Sequence, residues 1–476
     1  MKKITLLSAC IFSFFSMQAK VTLPDIISDY MVLQQNSEVA VWGKALPKSK
    51  VTIKASWNDD HETTVSCDRQ GNWKAYLKTP SAGGPYTLTF DDGEGAVGIN
   101  DVLTGEVWLC TGQSNMVMPM KGFKGQPVED AAGYIVKAKP SVPIRMCTIK
   151  RNPSNVELES CEGKWYNHTP VNVSKTSAVA YFFARQIQEY LDVPVGIIIT
   201  AWGGSTIESW MSRDVLKKYS SELDLSILDN EVKPETPNRH PCYLYNGMLH
   251  PLADYGIKGT IWYQGCSNRN RHEQYKRLQP DFVKMLRELF GKEELPFYYV
   301  QIAPYSYDGA DKINAALLRE AQADGLNTIP NCGMVVSMDC GDDNCIHPAR
   351  KKPIGDRLAY LALEDTYGLE GIDVKAPTYK SMEIKDGKAF ITFNVGNMGI
   401  GPKGDKLDGF EIAGEDKVFH KAVAKINGKK SDTIVVASKK VSKPVAVRYG
   451  FRNVAPASVF NNFGIPAAPF RTDNWE

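Results

Sequence analysis

Residues 178–199 read Ala-Val-Ala-Tyr-Phe-Phe-Ala-Arg-Gln-Ile-Gln-Glu-Tyr-Leu-Asp-Val-Pro-Val-Gly-Ile-Ile-Ile, and two kinds of pattern meet inside them. Val179, Phe182, Phe183, Ile187, Tyr190 and Leu191 recur at helical spacing and make one apolar stripe. After Pro194, Val195 to Ile199 is apolar at every position except Gly196. A strand with no polar alternation is one covered on both faces, as in a parallel sheet flanked by helices.

The same signature extends in both directions. Strand-like runs occur at Val107-Trp108-Leu109, Gly259-Thr260-Ile261-Trp262-Tyr263, Phe297-Tyr298-Tyr299-Val300 and Met334-Val335-Val336. Helical stripes occur at Leu278, Phe282, Met285, Leu286 and Leu289, and again at Ile354, Leu358, Leu361 and Ala362. Alternating strands and helices over 103–370 predict an α/β doubly wound parallel sheet, with functional loops gathered at the carboxyl ends of its strands. On either side the pattern is different. Residues 20–102 carry short alternating runs such as Glu38–Trp42, Lys50–Lys54 and Tyr86–Phe90, separated by Gly-rich turns. Residues 371–476 resume such runs at Ala389–Phe393 and Thr433–Ala437. Both flanks read as β-sandwich regions.

Composition narrows the function. The chain has 476 residues, 56 basic and 54 acidic, with nine Trp. It therefore lacks the basic excess of a nucleic-acid binder. No apolar run beyond the N-terminus reaches the roughly 18 residues of a membrane span. Lys2 and Lys3 followed by apolar Ile4 to Met17 and a small Ala19 predict a signal peptide over 1–19 and an exported product, periplasmic or secreted. Nine cysteines remain after it, an odd number for an oxidising compartment. No Cys-x-x-Cys occurs, which argues against structural zinc.

Four strand ends carry reactive or donor groups: Gly112-Gln113-Ser114-Asn115-Met116, Gly203-Gly204-Ser205, Gln264-Gly265-Cys266-Ser267-Asn268, and Asp342-Asp343-Asn344-Cys345-Ile346-His347-Pro348. Together they supply a nucleophile, amide donors for an oxyanion, and a base, the components of acyl transfer. The Lys and Arg near the last helix, Arg350, Lys351, Lys352 and Arg357, read as a wet helical face.

These blocks resemble the SGNH hydrolase superfamily and, within it, the sialate O-acetylesterase family of carbohydrate esterases. Trp202-Gly203-Gly204-Ser205-Thr206-Ile207-Glu208-Ser209-Trp210, Trp262–Asn268 and Ile346-His347-Pro348 carry the resemblance with the Ser114 block. Met31–Gln35 and Pro469–Asp473 extend it almost to the chain ends. The resemblance implies a serine esterase that needs no cofactor or metal and acts on O-acetylated carbohydrate. Ser114 is then the nucleophile and His347 the base, with the Ser114 N–H, a Gly203 or Gly204 N–H and the Asn268 amide as oxyanion hole. Gln113, Gln264 and Arg269 are expected beside the substrate. O-acetylated sialic acid is the first substrate implied, with acetyl-xylan or another polysaccharide as the alternative. A non-catalytic glycan-binding protein on a degenerate esterase fold is the alternative of another class.

Two departures stand out against that family. Cys266 occupies a position where Glu is usual, and Cys345 and Asn344 stand where an acid usually precedes the histidine. Asp342 or Asp343 is left to support His347, unless it works as a dyad. The paired cysteine replacements suggest a Cys266–Cys345 disulfide between the two loops. Trp202, Trp210 and Trp262 are core residues or sugar platforms, with core favoured.

Overall fold

A computed structural model describes residues 20–58, 61–230, 234–404, 406–428 and 430–475; the expected leader, 1–19, lies outside them. Its largest element is an 11-stranded mixed sheet organised around one long strand, β1 (Val97–Gly112). Parallel to β1 and around it run β2 (Ile144–Thr148), β3 (Val195–Ala201), β4 (Gly259–Tyr263), β5 (Phe297–Val300) and β6 (Cys332–Val335). Their spatial order is β6-β5-β4-β1-β3-β2.

Successive residues of these strands enter different cores. Val107, Leu109, Ile198, Trp262, Phe297 and Tyr299 pack with α3 (His272–Leu289) and α4 (Asn314–Thr328). Trp108, Cys110, Ile197, Ile199, Ile261 and Tyr298 pack with α2 (Ala178–Leu191) and α5 (Lys352–Asp365). Period-two side chains on a sheet with two covered faces account for the unbroken apolar runs.

The expected boundary at 102–103 falls inside β1. Its first half pairs antiparallel with Gly83–Asp91 of the N-terminal strands, and its second half is central in the parallel array. The N-terminal strands therefore share a continuous backbone ladder with the helix-covered unit. The C-terminal region forms two four-stranded sheets and two short strands around a core of its own that includes Ile391, Ile434 and Val447. Buried Arg319 of α4 ties it down, donating to the carbonyls of Arg452 (2.8 Å) and Asn453 (2.9 Å). Among the described residues, no helix is long and apolar enough to cross a membrane.

Register sets the site. Gly112 at the end of β1 lies opposite Ala201 of β3 on one side and Tyr263 of β4 on the other. The loop after β1 thus emerges between the loops that follow β3 and β4.

Candidate active site

Gly112 has φ +140°, a conformation L residues rarely adopt, and a Cβ there would lie 2.3 Å from the Tyr263 carbonyl oxygen. The chain turns sharply at this point and places Ser114, half-buried, at the start of α1 (Ser114–Val117). Over it lies Gly203, where an added Cβ would come within 3.3 Å of the Ser114 Cβ. The glycine turn is held from three directions. Trp202 N–H donates to the Gly112 carbonyl (3.0 Å), Asn238 Nδ2 to the Gly203 carbonyl (2.9 Å), and Ser267 Oγ to the Gly204 carbonyl (3.0 Å). Among the described residues, the N–H groups of Ser114 and Gly203 have no hydrogen-bond partner.

The loop after β4 is bonded inward throughout. Asn268 is fully buried; its Oδ1 accepts from Gln264 Nε2 (2.8 Å) and the Ile207 N–H (3.1 Å), and its Nδ2 donates to Glu208 Oε2 (3.0 Å). Glu208, also buried, meets Arg271 at 2.5 Å. Asn268 therefore joins the glycine block to its own loop, and only its second amide hydrogen is left for a substrate. Gln113 and Gln264, expected beside the substrate, also turn inward. Gln113 Oε1 accepts from the Gly265 N–H (3.0 Å), and Gln264 Nε2 also donates to the Ser205 carbonyl (2.9 Å). Arg269 lies over the Tyr307 ring, 4.7 Å from its centroid, and reaches Asp308 at 3.4 Å, so it is committed within the protein. Trp210 and Trp262 are core residues, whereas Trp202 is half-buried beneath the exposed Arg151 guanidinium.

His347 meets neither neighbouring carboxylate. Asp342 Oδ1 accepts from the N–H groups of Asn344 (2.8 Å) and Cys345 (3.1 Å), closing its own loop. Asp343 is exposed. His347 Nδ1 lies 2.9 Å from Gln126 Oε1, and the Phe123 ring stands edge-on to the imidazole at 5.2 Å. The expected Cys266–Cys345 bridge is absent and both are free thiols. Cys266 is buried, whereas the Cys345 thiol turns back to the His347 carbonyl (3.3 Å).

The histidine loop is joined to the serine turn through Asn115. Its Nδ2 donates to the Ile346 carbonyl (3.0 Å), and its Oδ1 accepts from Lys351 Nζ (2.7 Å). Lys351 also donates to the Pro348 carbonyl (2.8 Å) and is only 1% exposed; burial pulls its pKa down to about 7. The His347 pKa lies below the usual imidazole value, first through burial and then through the Lys351 charge. Lys351 and Arg357, read from sequence as a wet face, are both buried, Arg357 paired with Asp339 at 2.7 Å. Extending the Ile354-Leu358-Leu361 stripe one turn back reaches Lys351, so the register pointed to it. Glu208 sat in a quoted block without a role, and Gln126 had no sequence signal.

Among the described residues, no group of three or more His, Cys, Asp or Glu converges as a metal site. Residues 104–364 match the family model described as carbohydrate esterase, sialic acid-specific acetylesterase. The chain is similar to human sialate O-acetylesterase, 29% identical over 398 residues covering 77% of this chain and 75% of that one. The rat sialate O-acetylesterase is 28% identical over 417 residues, covering 75% and 76%. The crystal structure of a carbohydrate acetylesterase from Xanthomonas citri superposes with a TM-score of 0.86 at 34% identity, covering 96% of this chain and all of that one.

Proposed function

We propose, for a chain that belongs to the sialic acid-specific acetylesterase family of carbohydrate esterases and so hydrolyses O-acetyl esters on carbohydrates, that Ser114 and His347 carry the reaction on an O-acetylated sialic acid. The observation that carries this reading is the Asn115 bridge, which couples the Ser114 turn to the His347 loop beneath an open glycine turn.

In this mechanism Ser114 Oγ attacks the acetyl carbonyl carbon while His347 takes its proton. The tetrahedral oxyanion is met by the unpartnered Ser114 and Gly203 N–H groups. Collapse breaks the bond to the sugar oxygen, which leaves with the proton from His347, and acetyl remains on Ser114. Water, losing a proton to His347, attacks this ester and releases acetate, and the proton returns to Ser114. The lowered His347 pKa supports a neutral base at neutral pH.

The sialic acid reading draws on the named relatives and on two exposed arginines beside the glycine turn. Arg151 lies over Trp202, and an Arg239 Nη is 3.9 Å from where a Gly204 Cβ would stand. Among the described residues neither has an acidic partner in an ion pair, so both suit a sugar carboxylate. The Xanthomonas citri carbohydrate acetylesterase favours a second reading, in which the sugar belongs to another acetylated polysaccharide such as xylan. The SGNH-type, doubly wound description of the sheet, the division at 370, and export through 1–19 belong to the same proposal.

The test is acetate release from O-acetylated sialic acid and acetylated xylan, with Ser114→Ala as control. Preference for the sialic acid, abolished in the variant, is the expected result. Preference for xylan moves the substrate, and retained turnover in Ser114→Ala moves the nucleophile.

A further inference from the structure

The Cys345 and Asn344 replacements leave His347 without a nearby carboxylate, and the structure offers it a different neighbour from elsewhere in the chain. Residues 119–126 leave α1 and fold into a tight turn. Gly122 N–H donates to the Pro119 carbonyl, and Phe123 and Gln126 exchange both backbone bonds, at 3.0 and 2.9 Å. Gly122 is required there, because a Cβ would lie 2.3 Å from the Gln126 carbonyl oxygen and φ is +75°. The turn presents two side chains to one imidazole. The Phe123 ring walls its side, and Gln126 Oε1 stands 2.9 Å from Nδ1.

We propose that Gln126 is the positioning residue for His347, filling with a neutral amide the place a carboxylate takes in a Ser-His-acid triad. This rests on the reading of His347 as the base. An amide oxygen only accepts, so the contact requires the proton on Nδ1 and leaves the lone pair on Nε2, the tautomer needed to take the Ser114 proton. The amide thereby supplies orientation without charge. Buried Lys351, bonded to Asn115 and to the Pro348 carbonyl, is the charged group that acts on His347, and the Cys345 thiol is directed at the His347 carbonyl. The base therefore has a neutral acceptor at Nδ1 and feels a cation rather than an anion. Such an imidazolium is not stabilised by a counter-charge, so it gives up its proton readily to a sugar oxygen. The same surroundings hold the His347 pKa below the usual imidazole value, through burial first and the Lys351 charge second.

The experiment compares pH profiles of kcat/KM for wild type, Gln126→Leu, Gln126→Glu and His347→Ala on an acetyl ester. The turn is closed by backbone bonds, so these side-chain changes leave it formed. Gln126→Leu is expected to lose about 10–100-fold in kcat, up to the lower end of the roughly 10²–10⁴-fold that a positioned base supplies. Gln126→Glu is expected to keep kcat within about tenfold while its acidic limb moves up by about one pH unit or more, since an adjacent anion favours the imidazolium. Wild-type kcat and an unmoved limb in both Gln126 variants, with His347→Ala inactive, overturn the role of Gln126 and leave His347 as base. A fall in both variants with an unmoved limb means a merely structural contact and also overturns it. An active His347→Ala removes the base itself, and the inference falls with it.

Discussion

The loop after β4 and the loop before α5 are both bonded to the turn that carries Ser114, through Gln113 and Asn115, but are built in opposite ways. In the first, Gln264 and Asn268 are buried and bonded to the protein, and Gln322 Nε2 closes the loop from below through the Gln264 carbonyl (3.0 Å). In the second, Asp342 only closes its own turn, and His347 takes its partner from residue 126, 221 positions away in the chain. One loop turns its own side chains inward as the hub of its bonding. The other is positioned by groups it borrows, Gln126 and Asn115.

The inward-bonded loop is where substitution does most harm. Asn268→Ala removes a hub whose loss leaves Glu208 Oε2 buried without that donor. A loss of about 2–3 kcal/mol in stability is expected, with about 10²-fold in kcat as the glycine block shifts. Denaturant unfolding and steady-state kinetics measure both. A stable, fully active variant would erase the contrast between the loops.

Lys351→Met sharpens the other side. Removing the cation lifts one cause of the low His347 pKa, so the acidic limb of kcat/KM moves up, while burial, the larger cause, continues to hold it down. Stability changes in a defined direction. With a folded pKa of about 7 against an unfolded value near 10.5, the unfolded chain binds more protons between those values. Wild-type stability therefore rises with pH across that window through Lys351, and the Met variant loses this rise. Chemical denaturation at pH 7 and pH 9 reads the difference.

Asp342→Asn and Asp343→Asn are expected to do least. The amide oxygen that Asp342→Asn introduces can still accept from the Asn344 and Cys345 N–H groups, and Asp343 is exposed. Less than tenfold in kcat is expected for each, against the loss of roughly 10⁴-fold that follows removal of a triad acid's charge. A loss of about 10² or more in either would restore a carboxylate to His347 and undo the contrast.

What the sequence disclosed follows the same division. The strands ending at Gly112, Ala201 and Tyr263 and helices α2, α3 and α5 were legible because their buried residues are apolar and periodic. Helix α4 was hidden, since Arg319 and Gln322 lie on its buried face and bond to backbone instead of packing as hydrocarbons. Strand β2 was hidden in the same way by Arg145, buried and paired with Asp101 at 3.0 Å. The serine, the glycine turn and the histidine could be located because strand ends announce them. Gln126 could not, because its contact is made by a tertiary approach that no spacing encodes. The cysteine bridge was an inference from two substitutions, and Cys266 and Cys345 are both free thiols, the second directed at the His347 carbonyl.

The most direct measurement is a rapid-quench experiment with p-nitrophenyl acetate, followed by peptide mass mapping. The account predicts one acetyl group, formed within the first turnover, on the peptide and side chain of Ser114 and missing in Ser114→Ala. Acetyl on another residue, or turnover with no acetylated intermediate while Ser114→Ala stays active, would contradict it.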